Sequence, residues 1–212
     1  RKTSCCSTSR LILVTSLLIR RRIRQRRARL ARWTALRRAS PPADLRVLLS
    51  AEEISQRVNA LADRLSGQVN DGWTVVALLQ GAIPFAADLM RALETRGSHP
   101  IYDSLWLESY RDERESSGKV VVRADVSRSV EGRGVLIVDD VFDSGRTIAF
   151  ARAHLMAKGA TQTLACAFVR KPQAMEEAID AIGWDAPAEF LVGYGMDDKG
   201  RYRGLPYIAA ID

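Results

Sequence analysis

Cysteine and histidine are scarce in this chain, with three of one and two of the other among 212 residues. Cys5, Cys6 and Cys166 cannot make a disulfide framework, so a reducing compartment is the expectation. With only His99 and His154, the His/Cys clusters that hold zinc are excluded, and neither histidine shares a triad context with a serine or cysteine. His154 reads as a packing or surface residue, and Cys166, inside the strand-like run Thr163 to Val169, as a buried inert thiol. The apolar run Leu11 to Ile19 has nine residues, too few to span a bilayer, and Arg20-Arg21-Arg22 follows where a signal peptidase would need small side chains. No membrane span and no secretion are therefore expected. The GxxxxGK[ST] pattern is missing, and Gly193-Tyr194-Gly195 lacks the third glycine of GxGxxG, so nucleoside-triphosphate and dinucleotide readings both fall.

Acidic side chains are absent from residues 1–43, which carry 13 Lys or Arg. The net charge of +7 divides into +13 there and −6 over residues 44–212. A basic balance ordinarily suggests nucleic acid or an anionic membrane as partner, but here it describes only the extension. The body is mildly acidic, and at about 170 residues it can bury roughly 70% of its unfolded surface in one core. Ser40-Pro41-Pro42-Ala43 marks the boundary, giving a basic extension over 1–44 and one domain over 45–212. Three readings of the extension stay open. It is disordered or non-native upstream sequence, since the chain starts at Arg1 with no Met before Met90; or an organellar transit peptide; or a nucleic-acid-binding arm.

The body is more orderly. Ser50-Ala51-Glu52-Glu53 is a capping box, and Ile54, Val58, Leu61, Ala62 and Leu65 recur at helical spacing until Gly67. Thr74 to Leu79 is a short apolar strand, broken by Gln80-Gly81-Ala82 and followed by Pro84 at a helix start. Tyr102 to Leu107 and Lys119 to Arg123 read as strands around a charged segment, 108–118, with no apolar face, expected to be solvated and either a lid or a plain loop.

The densest chemistry lies in Val135 to Thr147. Val135 to Val138 is an aliphatic run suited to a strand covered on both faces, and it stops at Asp139-Asp140. Asp143-Ser144-Gly145-Arg146-Thr147 then turns into the helical-looking Ile148 to Leu155. Such a turn offers unpaired backbone N–H groups, the Ser144 and Thr147 hydroxyls and the positive end of a helix, which suit a phosphate monoester. Asp139-Asp140-Val141-Phe142-Asp143 is formally a DDxxD, but that magnesium-diphosphate signature works on a helix, where i and i+4 share a face, and a β-branched strand precedes it here.

A hydrophobic strand, two acids and Asp-Ser-Gly-Arg-Thr closely resemble the phosphoribosyl-diphosphate signature of type I phosphoribosyltransferases. Over about residues 45 to 211 the chain is similar to the hypoxanthine-guanine branch of that family. Leu78 to Ala82, with Phe85 and Asp88-Leu89, resembles the pyrophosphate loop, and Ser109-Tyr110 the start of the catalytic lid. Phe168 to Pro172 resembles the strand carrying the purine-binding lysine, and Trp184 to Arg203 the purine and pyrophosphate segment.

The resemblance implies an α/β fold with a mainly parallel twisted sheet, flanking helices and a small C-terminal hood. It implies purine salvage, in which pyrophosphate on C1 of phosphoribosyl diphosphate is displaced by N9 of hypoxanthine or guanine. In that scheme Asp143 is the acid/base group near purine N7, and Ser109 and Tyr110 close over the site. Ser144, Gly145, Arg146 and Thr147 cradle the 5′-phosphate, while Asp139 and Asp140 face ribose hydroxyls or water on Mg²⁺. Gln80 and Gly81 meet pyrophosphate, Gln80 standing where many relatives carry a basic residue. Lys171 donates to the purine 6-oxygen, Phe190 stacks on the base, the Leu191 backbone reads its edge, Asp197 binds a second Mg²⁺ and Arg203 faces pyrophosphate oxygens. A cytoplasmic homo-oligomer, dimer or tetramer, is implied as well. The alternative from another class is a regulator that binds nucleic acid and uses the same fold as a sensor. The purine-handling set and the acidic body, which offers no basic face to nucleic acid, favour the enzyme.

Overall fold

The computed structural model describes residues 44–110, 119–174 and 179–211, with the side chains of Ser109, Tyr110 and Lys119 outside that description. The extension and its three readings therefore lie outside the described residues. Among those described, no helix is long and apolar enough to cross a membrane.

The elements in chain order are β1 (Leu45–Leu49), α1 (Ala51–Leu65), β2 (Trp73–Leu79), α2 (Ile83–Glu94), β3 (Ile101–Tyr110), β4 (Lys119–Ala124), β5 (Gly134–Phe142), α3 (Arg146–Ala157), β6 (Gln162–Arg170), β7 (Ala181–Asp185), β8 (Leu191–Val192) and β9 (Ile208–Ile211). Six strands form a sheet in the order β4-β3-β2-β5-β6-β7. Every pairing in it is parallel except β3 with the edge strand β4.

Sequence explains the layers. Along β5, Leu136 and Val138 enter the core shared with α1 and α2, while Val135 and Ile137 enter the core shared with α3. A strand apolar on both faces needs cover on both, and the helices provide it. Helix α1 buries Ile54, Val58, Leu61, Ala62 and Leu65, the stripe its spacing predicts. Its start is closed by the reciprocal bonds of Ser50 and Glu53: Glu53 N donates to Ser50 Oγ (3.3 Å) and Ser50 N to Glu53 Oε2 (2.9 Å). Helix α2 buries Phe85, Ala86, Leu89, Ala92 and Leu93, and α3 buries Ile148, Ala151 and Leu155.

Three expectations change. The aspartates do not end β5, because the ladder continues through Asp139↔Ala167, Val141↔Val169 and Phe142↔Arg170. Ser109 and Tyr110 are not loop but the end of β3, paired with Val120 and Lys119. The hood is not built from the C-terminal segment alone, since β1 joins β9 and β8 in a second, antiparallel sheet with order β1-β9-β8.

Topology locates the site. From β2 the chain crosses over α2 to β3 on one side, and from β5 over α3 to β6 on the other, so the winding reverses between β2 and β5. In open α/β sheets ligands bind beyond the strand ends at such a switch point. Here those ends carry Gln80-Gly81 and Asp139 to Asp143.

Candidate active site

Gly81 lies two residues past the end of β2 and is buried. A Cβ built on it would lie 1.9 Å from Asp140 Oδ2, so the Asp140 carboxylate occupies the space a side chain would need. From the other side, a Cβ on Gly195 would lie 1.9 Å from the Gly81 carbonyl oxygen. Gly195 has φ +106, a conformation open to glycine at no steric cost. The loop is thus held between β5 and the turn after β8. The Leu79–Gln80 peptide is cis, and the Gln80 side chain is exposed.

The two adjacent aspartates have different surroundings. Asp139 is 8% exposed and accepts from Asp140 N (3.0 Å). Burial, and secondarily the neighbouring Asp140 carboxylate, push the Asp139 carboxyl well above the usual carboxylate range. Asp140 points the other way and reaches an open pocket of about 240 Å³, at the small end of ligand sites. Its other lining residues are Val141, Lys171, Phe190, Leu191, Met196 and Asp197.

Asp143 to Thr147 forms the turn between β5 and α3. Gly145 is the N-cap in the left-handed region (φ 69), and no side chain caps the helix. Four N–H groups of a helix's first turn have no partner inside the helix, so this bare end faces outward with the exposed Ser144 and the half-buried Thr147 beside it. Arg146 is exposed. Asp143 accepts a hydrogen bond from the side-chain amide of Gln173, in the single 3₁₀ turn after β6.

Lys171 donates from Nζ to the Glu189 carbonyl oxygen. Desolvation lowers its pKa, opposed by the Asp143 and Glu189 carboxylates. An ammonium has three donors, so some remain for a ligand. Phe190 is 59% exposed, unusual for a large aromatic and suited to stacking, whereas Leu191 is buried in the short strand β8. Asp197 and Arg203 meet each other, with Arg203 Nη2 at 2.5 Å from Asp197 Oδ1. Asp197 Oδ2 also accepts from Gly200 N (2.6 Å), and Arg203 Nη1 donates to the Gly195 carbonyl (2.6 Å). Among the described residues no three His, Cys, Asp or Glu side chains converge as a metal cage. Cys166 is fully buried and its thiol is pushed up to about 12, mainly by desolvation, as suits an inert residue.

Of the residues nominated in the sequence, Asp140, Lys171, Phe190, Leu191 and Asp197 line one pocket; Gly81 touches it through Asp140. Arg203 joins through Asp197, and Asp139 stands behind, out of the lining. Ser109 and Tyr110 end β3, their side chains outside the described residues. Gln173, Glu189, Val141 and Met196 were missed, since their relevance depends on contacts between distant segments and no local pattern marks them.

Comparison with known proteins identifies the family. Residues 48–199 match the family model of the phosphoribosyl transferase domain. The chain is 34% identical over 181 residues to the hypoxanthine-guanine phosphoribosyltransferase of Mycobacterium tuberculosis, covering 81% of this chain and 88% of that protein. It is 35% identical over 169 residues to that of Bacillus subtilis, covering 78% and 92%. Its structure is similar to a hypoxanthine phosphoribosyltransferase from Staphylococcus aureus, with TM-score 0.73, 29% identity and coverage of 80% of this chain and 92% of the other. With a mainly parallel sheet, a strand-to-helix turn from Asp143 to Thr147 and a second small sheet beside the pocket, this chain belongs to the type I phosphoribosyltransferases, in the hypoxanthine-guanine branch.

Proposed function

We propose that the pocket binds an oxopurine beside phosphoribosyl diphosphate and assigns the groups around it as follows. The reaction is purine salvage: the 5-phosphoribosyl group passes from phosphoribosyl diphosphate to N9 of hypoxanthine or guanine, giving IMP or GMP and pyrophosphate. The observation that carries the assignment is the convergence of Asp140, Lys171, Phe190 and Asp197 on one pocket at the sheet's switch point.

The uncapped start of α3 suits the 5′-phosphate: Ser144, Gly145, Arg146 and Thr147 supply N–H groups and hydroxyls. Gln80 and Gly81 take the pyrophosphate end, with Arg203 answering its oxygens. Lys171 donates to the purine 6-oxygen, Phe190 stacks on the ring, and the Leu191 backbone reads the edge. Asp143 manages the N7 proton as N9 attacks, and its bond from Gln173 fixes the carboxylate's orientation. Ser109 and Tyr110 exclude water from the cationic transition state.

Mg²⁺ suits this donor set, being a hard cation that takes few protein carboxylates and fills its shell with substrate phosphates and water. Asp197 would hold it directly in place of its Arg203 partner, and Asp139 and Asp140 through ribose or water. When bound it neutralises charge on the leaving pyrophosphate. By resemblance the protein works in the cytoplasm as a dimer or tetramer.

The test is incubation of the full chain with phosphoribosyl diphosphate, Mg²⁺ and each purine, following nucleotide formation. Nucleotide from hypoxanthine or guanine is expected; none from any base would sink the proposal. Asp143→Asn should lower kcat about 100-fold, the usual worth of a positioned acid/base group. Full rate across pH would remove Asp143 from that role.

A further inference from the structure

Behind the pocket, a buried tyrosine links the turn before Asp197 to helix α2. Tyr194 lies in the turn 193–197, is 5% exposed, and adopts φ 49, a left-handed conformation uncommon for a residue with a side chain. The turn's backbone is fixed by the following segment: Tyr194 N donates to Leu205 O (2.9 Å) and Gly195 N to Arg203 O (3.0 Å). The side chain runs away from the pocket into the core shared with α2. Its ring meets Phe168 edge-on at 4.9 Å, and Phe168 in turn meets Phe85 of α2 at 5.3 Å. Its hydroxyl donates to Asp88 Oδ2 (3.0 Å), on α2, while Asp88 Oδ1 accepts from Arg91 (2.8 Å).

Helix α2 begins two residues after Gly81, and the same turn presses Gly195 against the Gly81 carbonyl. We infer that Tyr194 and Asp88 are positioning residues for phosphoribosyl diphosphate. Their hydrogen bond ties the turn carrying Asp197 to the helix behind Gly81, and so sets the gap that receives the pyrophosphate group. The inference rests on the phosphoribosyl-transfer reading above. Neither residue touches substrate; both act through the backbone they hold. The strained φ of Tyr194 is consistent with this, because such a conformation persists only where surrounding contacts over-determine it. Burial, and then the Asp88 carboxylate, keep the phenol protonated and able to donate.

The link has a directional consequence. Lys171 is anchored on Glu189, and Leu191 is paired with Ala210 in the hood sheet, so the purine contacts have their own supports. Gly81 and Asp197 are the groups whose spacing depends on Tyr194. Loss of the hydroxyl should therefore weaken one substrate and spare the other.

The experiment compares the full-length parent with Tyr194→Phe, Asp88→Ala and Asp88→Asn. Steady-state kinetics give KM for each substrate, and calorimetry gives the Kd for phosphoribosyl diphosphate with Mg²⁺, which needs no turnover. For Tyr194→Phe, KM and Kd for phosphoribosyl diphosphate should rise about fivefold, the scale of one net hydrogen bond, with KM for hypoxanthine changed by less than about twofold. Asp88→Ala should match it. Asp88→Asn keeps an oxygen acceptor and should lie closer to the parent, because the pair it loses with Arg91 is exposed and weak. If Tyr194→Phe is too unstable to purify, the two Asp88 variants carry the same comparison. Unchanged constants, equal rises for both substrates, or Asp88→Asn as impaired as Asp88→Ala would overturn the inference. A parent that binds phosphoribosyl diphosphate but forms no nucleotide would overturn the transfer reading and leave the link standing if Kd shifts as stated. A parent that does neither overturns both.

Discussion

Helices α1 and α3 begin in opposite ways. At α1 the capping box of Ser50 and Glu53 satisfies the Ser50 and Glu53 N–H groups within the chain. At α3 a left-handed glycine leads straight into the helix and no side chain caps it. Helix α2 differs from both: no side chain caps it, but Ile83 N donates to Gln80 O (3.4 Å) and Pro84 has no N–H to satisfy. The closed start serves stability; the open one follows β5, one of the two strands at the switch point. Unsatisfied donors at a helix end are costly when they have nowhere to turn, so leaving them bare where a doubly charged phosphate would sit reads as provision for a ligand.

This contrast can be broken in graded steps. Gly81→Ala strikes hardest, because the new Cβ would fall 1.9 Å from Asp140 Oδ2 and 2.4 Å from Asp140 Cγ. Either Asp140 or the loop before α2 must move, and kcat/KM should fall about 100-fold or more, as when positioning at a reacting centre is lost. Near-parental activity would mean the loop is not part of the site. Gly145→Ala has an ordinary steric neighbourhood, with Phe142 Cζ at 3.4 Å, so its penalty is the left-handed φ alone. That costs about 1–2 kcal/mol, and KM for phosphoribosyl diphosphate should rise about tenfold as the turn relaxes. Equal stability and KM would show that another residue sets the cradle. Ser50→Ala should produce the mildest phenotype, a loss of about 1 kcal/mol in urea unfolding with kcat and both KM values unchanged. A catalytic defect in that variant would erase the distinction between closed and open helix starts.

How far the fold could be read from sequence depended on distance along the chain. Val135 to Thr147 was legible because strand, acids, turn and helix are consecutive, and α1 because its cap and stripe are local. The end of β5 was not, since Asp139-Asp140 breaks the aliphatic run while the backbone ladder to β6 continues regardless of side-chain polarity. Ser109-Tyr110 misled in the same way: a charged segment says nothing about where pairing with β4 stops. Several acids and cations that the sequence nominated do come together around one pocket, but their pairings with one another could not be read. Nothing near Asp197 announces that it meets Arg203, nor near Tyr194 that its hydroxyl reaches Asp88, because such pairs exist only after distant segments pack. The hood was half-legible. Its C-terminal strands lie in the expected segment, but β1 enters from the other end of the domain.

That last pairing bears on how the protein is made. In the hood sheet β9 is the middle strand, so β1 and β8 meet only through it. During synthesis the earlier elements can pack as they emerge, but β1 must wait, unpaired, until Ile208–Ile211 has cleared the ribosome. The Phe190–Leu191 side of the pocket, which rests on β8, therefore acquires its backing strand among the last events of the domain's production. A nascent chain can display the turn from Asp143 to Thr147 well before its pocket is complete.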